Sequence, residues 1–272
     1  MAKETVRPKK ALGQNFLVND GVCEKIADAV VGDGNCGVLE IGPGLGALTK
    51  KLAPRARKLV AVELDADILP KLRENLAGFD NVEIVNADVL SVDLQALIRE
   101  HFAGMPVRAA GNLPYYITSP IVMALLESRL PLEEIVVMVQ KEAAQRLCAK
   151  EGARECGAVT LAVRYYAEPQ MLFDVSPGSF YPAPKVTSSV LRLRVRKQPL
   201  VTPRDERRMF AVIKAAFSMR RKTVLNAVAG GLSLDKETLA AAMARAGVDP
   251  GARAERLTLA DYSSLSDEII IQ

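Results

Sequence analysis

The chain has 272 residues, 49% of them apolar and 25% charged, with a formal net charge of +4; it is long enough to bury a full core and suits one large domain followed by a small one. Its single histidine, His101, and its four cysteines, Cys23, Cys36, Cys148 and Cys156, show no metal-ligand spacing. That excludes histidine-dependent hydrolases, most zinc enzymes and the zinc nucleobase deaminases, and leaves the cysteines as reduced thiols.

The mild basicity is compatible with a nucleic-acid partner. No signal-peptide core and no membrane-length apolar run is found, so the expectation is a cytoplasmic protein that needs neither membrane nor metal. Residues 1–10 carry Lys3, Arg7, Lys9 and Lys10 and read equally as a tail or as an arm that touches phosphate. Gly13-Gln14-Asn15-Phe16-Leu17 is too apolar and amide-rich for a free tail. Asp20 is placed to cap a helix running through Ile26, Ala27 and Val30.

Val38-Leu39-Glu40-Ile41 reads as a buried parallel strand. It breaks into Gly42, Gly44 and Gly46 before helical spacing at Leu45, Leu48 and Leu52. Such a strand-to-helix turn lets a ligand approach the main chain, and Glu63 lies about where a ribose-binding acid is expected, so a nucleoside-containing cofactor is predicted. Glu40 narrows the choice. A carboxylate before the turn would repel a pyrophosphate, whereas S-adenosylmethionine has no phosphate and carries a cationic sulfonium and ammonium.

Further strands are predicted at 59–63, 82–85, 107–111 and 135–139, separated by helical patterns at 65–77, 92–100 and 118–128, with another helix from about Glu142. This is an α/β, Rossmann-like, mostly parallel and doubly wound sheet. Glu40, Glu63, Asp88 and Asn112 all fall at the carboxyl ends of its strands, where ligands bind. A helix follows at 157–166, then two late strands within 170–196 around the Pro-rich loop Ser176–Pro184. Gln198–Pro203 reads as a linker. It divides a methyltransferase domain at 1–197 from a helical domain at 198–272, with helices at 204–217, 220–229, 236–246 and 259–270.

Asn112-Leu113-Pro114-Tyr115 carries the sharpest chemistry. The exocyclic nitrogen of adenine is a poor nucleophile because its lone pair is delocalised into the ring. The Asn112 side-chain oxygen and the Leu113 carbonyl can accept its two N–H groups and draw it towards tetrahedral geometry. Pro114 holds Leu113 extended, and Tyr115 offers a face for an extruded base. Phe180, in the stiff Pro-rich loop, is placed to sandwich the base from the other side.

These motifs, with Gln140-Lys141-Glu142, Phe180-x-Pro182-x-Pro184-Lys185-Val186 and Phe217-x-x-Arg220-Arg221-Lys222-Thr223, make the chain resemble the KsgA/RsmA family of small-subunit ribosomal RNA adenine dimethyltransferases. The resemblance implies cofactor contacts at Asn15, Leu17, Gly42, Glu63, Asp88 and Asn112, with Glu63 on the ribose hydroxyls and Asp88 on the adenine amine of S-adenosylmethionine. It also implies dimethylation of two adjacent adenosines in a hairpin loop near the 3′ end of 16S rRNA, on a pre-assembled 30S subunit. Arg220, Arg221 and Lys222 suit phosphate contacts, and a monomer is expected. Cys156-Gly157 departs from the family's usual Tyr-Gly, away from the site motifs. Three other readings share parts of this pattern: an Erm-like methyltransferase of large-subunit rRNA, an assembly factor acting by binding, and an NAD-dependent oxidoreductase.

Overall fold

Apolar runs and amphipathic stretches alternate along the chain in β1 (Phe16–Leu17), α1 (Asp20–Val31), β2 (Gly37–Ile41), α2 (Thr49–Leu52), β3 (Lys58–Glu63), α3 (Leu69–Leu76), β4 (Val82–Asn86), α4 (Leu94–Phe102), β5 (Val107–Asn112), α5 (Thr118–Glu127), β6 (Leu132–Gln140) and α6 (Lys141–Cys148). They continue with α7 (Ala158–Tyr166), β7 (Ala167–Val175), β8 (Phe180–Tyr181), β9 (Ser188–Val195), α8 (Glu206–Phe217), α9 (Val224–Leu232), α10 (Lys236–Ala246) and α11 (Leu259–Glu268). The structure, a computed structural model, describes residues 8–9, 12–32, 34–219 and 221–269. Two units emerge. One runs to Ala144 and takes in Glu168–Val195; the other consists of Gln145–Ala167 and the residues from Arg196 onward.

In the first unit seven strands form one sheet in the order β4-β3-β2-β5-β6-β9-β7. The first five are parallel, and β9 returns antiparallel to β6. Strands such as β2, buried along their whole length, read as unbroken apolar runs because both sheet faces are covered. The chain winds outward from β2 through β3 to β4, then crosses back to β5 and β6. The reversal falls between β2 and β5, which is where doubly wound sheets open a crevice.

Those two strands approach unusually closely at Gly111. A Cβ there would lie 2.5 Å from the Ile41 carbonyl oxygen, and Ile41 is the register partner of Gly111. Only glycine fits without separating the strands. One expectation shifts at α1: its cap is Asn19, whose side chain accepts from the Val22 N–H, and Asp20 is the first helical residue. Asn19 has the extended backbone a cap needs.

The second unit is helical, and α8 to α11 each begin at a capping side chain: Asp205, Thr223, Asp235 and Thr258 accept from the N–H three residues on. Thr223 therefore starts α9 at Val224, four residues later than the sequence pattern suggests. Tyr165 and Tyr166, at the end of α7, donate to the two carboxylate oxygens of Glu206 at 3.0 and 2.6 Å. Tyr166 also stacks on Phe210, with ring centroids 5.8 Å apart. Cys156 is buried in this unit.

Candidate functional site

At the β2–β5 reversal the chain leaves β2 through Gly42 and Gly44, with φ of 66° and 59°, a left-handed geometry that favours glycine. The Gly42 N–H donates to the Val62 carbonyl. At Gly44 a Cβ would sit 3.1 Å from the Phe16 ring, so the turn and the segment before α1 pack directly together. Between them lies an open cavity, walled by residues that include Asn15, Gly42, Glu63, Asp88, Asn112, Leu113, Pro114 and Tyr115. A concave site with a few convergent polar groups among apolar ones suits a small-molecule cofactor.

Glu63, at the end of β3, is held at both oxygens: Oε2 accepts from the Gly44 N–H at 3.1 Å and Oε1 from the Asp65 N–H at 2.9 Å. Burial raises its pKa while these N–H groups oppose the rise. Each oxygen keeps a lone pair for a hydroxyl. Asp88 follows β4, and its Oδ1 accepts from the Leu90 N–H at 2.9 Å.

Asn112 ends β5 with its Nδ2 donating to the Asn15 carbonyl at 2.9 Å, which commits its Oδ1 to accepting. Leu113 donates its N–H to the Met138 carbonyl, extending the β5–β6 ladder by one residue. Pro114 is extended (φ −58°, ψ 133°), and its carbonyl accepts from the Thr118 hydroxyl. The Tyr115 hydroxyl is 2.7 Å from Ser188 Oγ, and burial raises its pKa. The ring is thereby fixed on the cavity wall.

Two expected site residues are not on that wall. Leu17 and Phe180 are register partners across the antiparallel β1–β8 ribbon, and both pack into the core. Phe180 is 4% exposed and its neighbour Tyr181 is 63% exposed. Period-2 alternation turns one inward and the other out, so the exposed aromatic of the Pro-rich loop is Tyr181.

Glu40 is also displaced from its expected place. It is 1% exposed and does not line the cavity; the acids that do are Glu63 and Asp88. Glu40 Oε2 and Thr49 Oγ1 are both buried without a hydrogen-bond partner. Burial pushes the Glu40 pKa up to about 8, aided by the Glu63 charge.

The folded chain thus holds a proton that the unfolded chain releases near the ordinary carboxyl value of 4.5. Stability is lost as pH rises between these values. Glu40→Gln should be more stable than the parent by about 3 kcal/mol at pH 7, with the difference vanishing near pH 4. Urea unfolding across this range, without cofactor, measures it. A gap independent of pH would show that Glu40 is ionised in the fold.

Sequence reasoning missed Leu64 and Tyr116, which also line the cavity. Both are large and exposed, Tyr116 at 60%. The available signal was an aliphatic residue directly after a strand-end acid and a second tyrosine after the Asn-Leu-Pro-Tyr run. In the second unit, Arg221 and Lys222 are exposed just before α9, while Arg220 lies outside the described residues. Among those residues no His, Cys, Asp or Glu cluster could hold a metal ion, and no helix is long and apolar enough to cross a membrane.

The ribosomal RNA small subunit methyltransferase A of Alkaliphilus metalliredigens (strain QYMF) is 45% identical over 269 residues, covering 98% of this chain and 93% of the relative. That of Geobacillus thermodenitrificans (strain NG80-2) is 46% identical over 266 residues, covering 96% and 91%. Among solved structures, the 23S rRNA methyltransferase ErmE superposes with a TM-score of 0.70 at 29% identity, covering 93% of this chain and 99% of that one. A dimethyladenosine transferase from Plasmodium falciparum shares the fold, with a TM-score of 0.74 at 24% identity over 92% and 95% of the two chains. The family model for ribosomal RNA adenine dimethylase matches residues 6–270, so this chain belongs to the ribosomal RNA adenine dimethylase family.

Proposed function

We propose that this chain uses S-adenosylmethionine to dimethylate N6 of two adjacent adenosines in a hairpin loop near the 3′ end of 16S rRNA. It does so on the assembling small subunit, in the cytoplasm, and acts as a monomer. One observation carries the chemistry: the Asn112 amide is bonded through Nδ2 to the Asn15 carbonyl, so its oxygen is the end offered to an incoming amine. The small-subunit assignment draws on the relatives at 45% and 46% identity, against 29% for ErmE.

When bound, S-adenosylmethionine supplies a methyl group on a sulfonium that is already an excellent leaving group. The residues at hand fit it. Glu63 and Asp88 accept from ribose and adenine donors, the Gly42–Gly44 turn lets the main chain approach closely, and no basic side chain is needed for a phosphate.

Asn112 and the Leu113 carbonyl then take the two N–H groups of the target adenine and rehybridise its nitrogen, while Tyr115 stacks on the base. After one transfer a single N–H remains, so one acceptor is released and the second methyl has room. The surplus proton is acidic on an alkylated nitrogen and leaves without a strong base. His101 takes no part: it sits on α4, 3.1 Å from Glu83.

The test is transfer of labelled methyl groups to small subunits from a strain that lacks these modifications, followed by nuclease digestion and mass analysis. Dimethyladenosine in small-subunit RNA is expected. Label confined to large-subunit RNA would transfer the reading to the Erm-like class. No label in either would overturn the substrate.

We assign RNA contacts to residues 220–222. Replacing Arg220, Arg221 and Lys222 with Ala should weaken small-subunit binding and lower the slope of log K against log[salt] by roughly 2 to 3. An unchanged slope would mean that these side chains touch only solvent.

A further inference from the structure

We propose that Asp65 is a positioning residue for the transfer step. It fastens Lys9 and Gln14 to the end of β3, and the main chain held there sets which end of the Asn112 amide faces the substrate. The proposal deepens the function assigned above and rests on it.

Asp65 lies two residues beyond Glu63, and its side chain is 2% exposed. Its two oxygens are divided between two side chains from the start of the protein: Oδ1 accepts from Lys9 Nζ at 2.6 Å, and Oδ2 accepts from Gln14 Nε2 at 2.8 Å. Lys9 also reaches Asp67 at 2.5 Å. The Lys9 N–H donates to Gln14 Oε1 at 2.8 Å, and the Leu12 N–H donates to the Lys9 carbonyl at 3.1 Å. Lys9 and Gln14 are therefore fastened to each other and to one buried carboxylate. Burial works against the charge on Asp65, and the Lys9 and Gln14 bonds outweigh it, holding its pKa below the usual value.

The next residue is Asn15, whose carbonyl receives Asn112 Nδ2. A primary amide has one donating end and one accepting end. The Asn15 carbonyl can only accept, so it selects the NH2 end of Asn112 and leaves Oδ1 for the adenine amine. Turned over, Asn112 would present N–H groups to N–H groups and oppose the reaction. The carbonyl does this only while it is held in place, and the nearest fixed anchor on its N-terminal side is the Gln14–Asp65 bond. Asp65 touches no substrate in this scheme; it acts through Asn112.

The experiment compares Asp65→Ala, Asp65→Glu and Gln14→Ala with the parent, using small subunits as substrate. Gln14→Ala removes one of the two fasteners and leaves the Asp65 carboxylate, its Lys9 pair and its Asp67 N–H bond in place, so it serves if Asp65→Ala folds poorly. Single-turnover rates at saturating cofactor should fall about 10- to 100-fold in Asp65→Ala and less in Gln14→Ala, with Asp65→Glu recovering most of the loss and subunit affinity unchanged. Independently of activity, amide hydrogen exchange across residues 12–17 should accelerate in the two alanine variants.

A rate within about threefold of the parent in both alanine variants, or full recovery once cofactor saturates, would overturn the positioning role; recovery would make Asp65 a cofactor-pocket residue only. Absence of dimethyladenosine with the parent protein itself would instead overturn the proposed function, and this role with it.

Discussion

Asn112→Ala is expected to lower methyl transfer by about 10³-fold while small-subunit binding and the unfolding midpoint hold within a few-fold and a few degrees. The size follows from what is lost. In the proposed reaction the Asn112 oxygen is one of two acceptors that localise the adenine lone pair, and a preorganised polar group aimed at developing charge is worth about 10²- to 10³-fold in rate. The second acceptor, the Leu113 carbonyl, also loses a fixed reference, because Asn112 Nδ2 ties the end of β5 to Asn15. Folding is spared because Asn112 is the last residue of its strand, so the truncation opens onto the cavity and leaves no buried void. The measurement is a single-turnover rate at saturating cofactor, beside a filter-binding affinity for small subunits. Near-parental turnover would remove Asn112 from the chemistry.

Gly111→Ala, one residue earlier, has the opposite character. Its Cβ would meet a carbonyl oxygen at 2.5 Å. That oxygen belongs to the backbone of the adjoining central strand, so no side chain can rotate away to make room. Either β2 and β5 separate and lose ladder hydrogen bonds around Ile41, or the carbonyl tilts and loses its own. Overpacking of this kind costs on the order of 3 kcal/mol or more. The expected result is a sharply lowered urea midpoint or insoluble protein, with residual folded material also impaired in transfer because Asn112 moves with the strand. Gly78→Ala serves as the comparison: nothing lies within 4 Å of its added methyl, and it should be close to neutral. Equal midpoints for the two variants would mean that the strands are not packed this tightly.

Much of the fold is legible in the sequence because its strongest signals are local. Strands β2 to β6 announce themselves as short apolar runs, each with a polar residue at or next to its carboxyl end, and the glycine turn marks the place where they gather a ligand. What escapes is non-local. Nothing in the periodicity tells that Lys9 and Gln14 meet a carboxylate some 50 residues away. Nor does it show that Phe180 turns inward, since that depends on pairing with Leu17. Glu40 was legible as an acid beside the turn, but its side-chain direction follows from strand register and helix cover, which no motif encodes. The late start of α9 is a smaller case: the Arg-Arg-Lys run has good helix propensity, and the Thr223 cap overrides it.

The two-residue ribbon of β1 and β8 has a bearing on the order of events during synthesis. Phe16 and Leu17 leave the ribosome early, yet their partners Tyr181 and Phe180 follow more than 160 positions later. The main-chain groups of Val18 and Asn19 likewise await the Ser179 carbonyl. Until then one wall of the cofactor cavity has nothing to pair with, and loop closure over so long a span is slow. The segment before α1 can therefore take up its paired geometry beside the cavity only once the last strands of the first unit have been made.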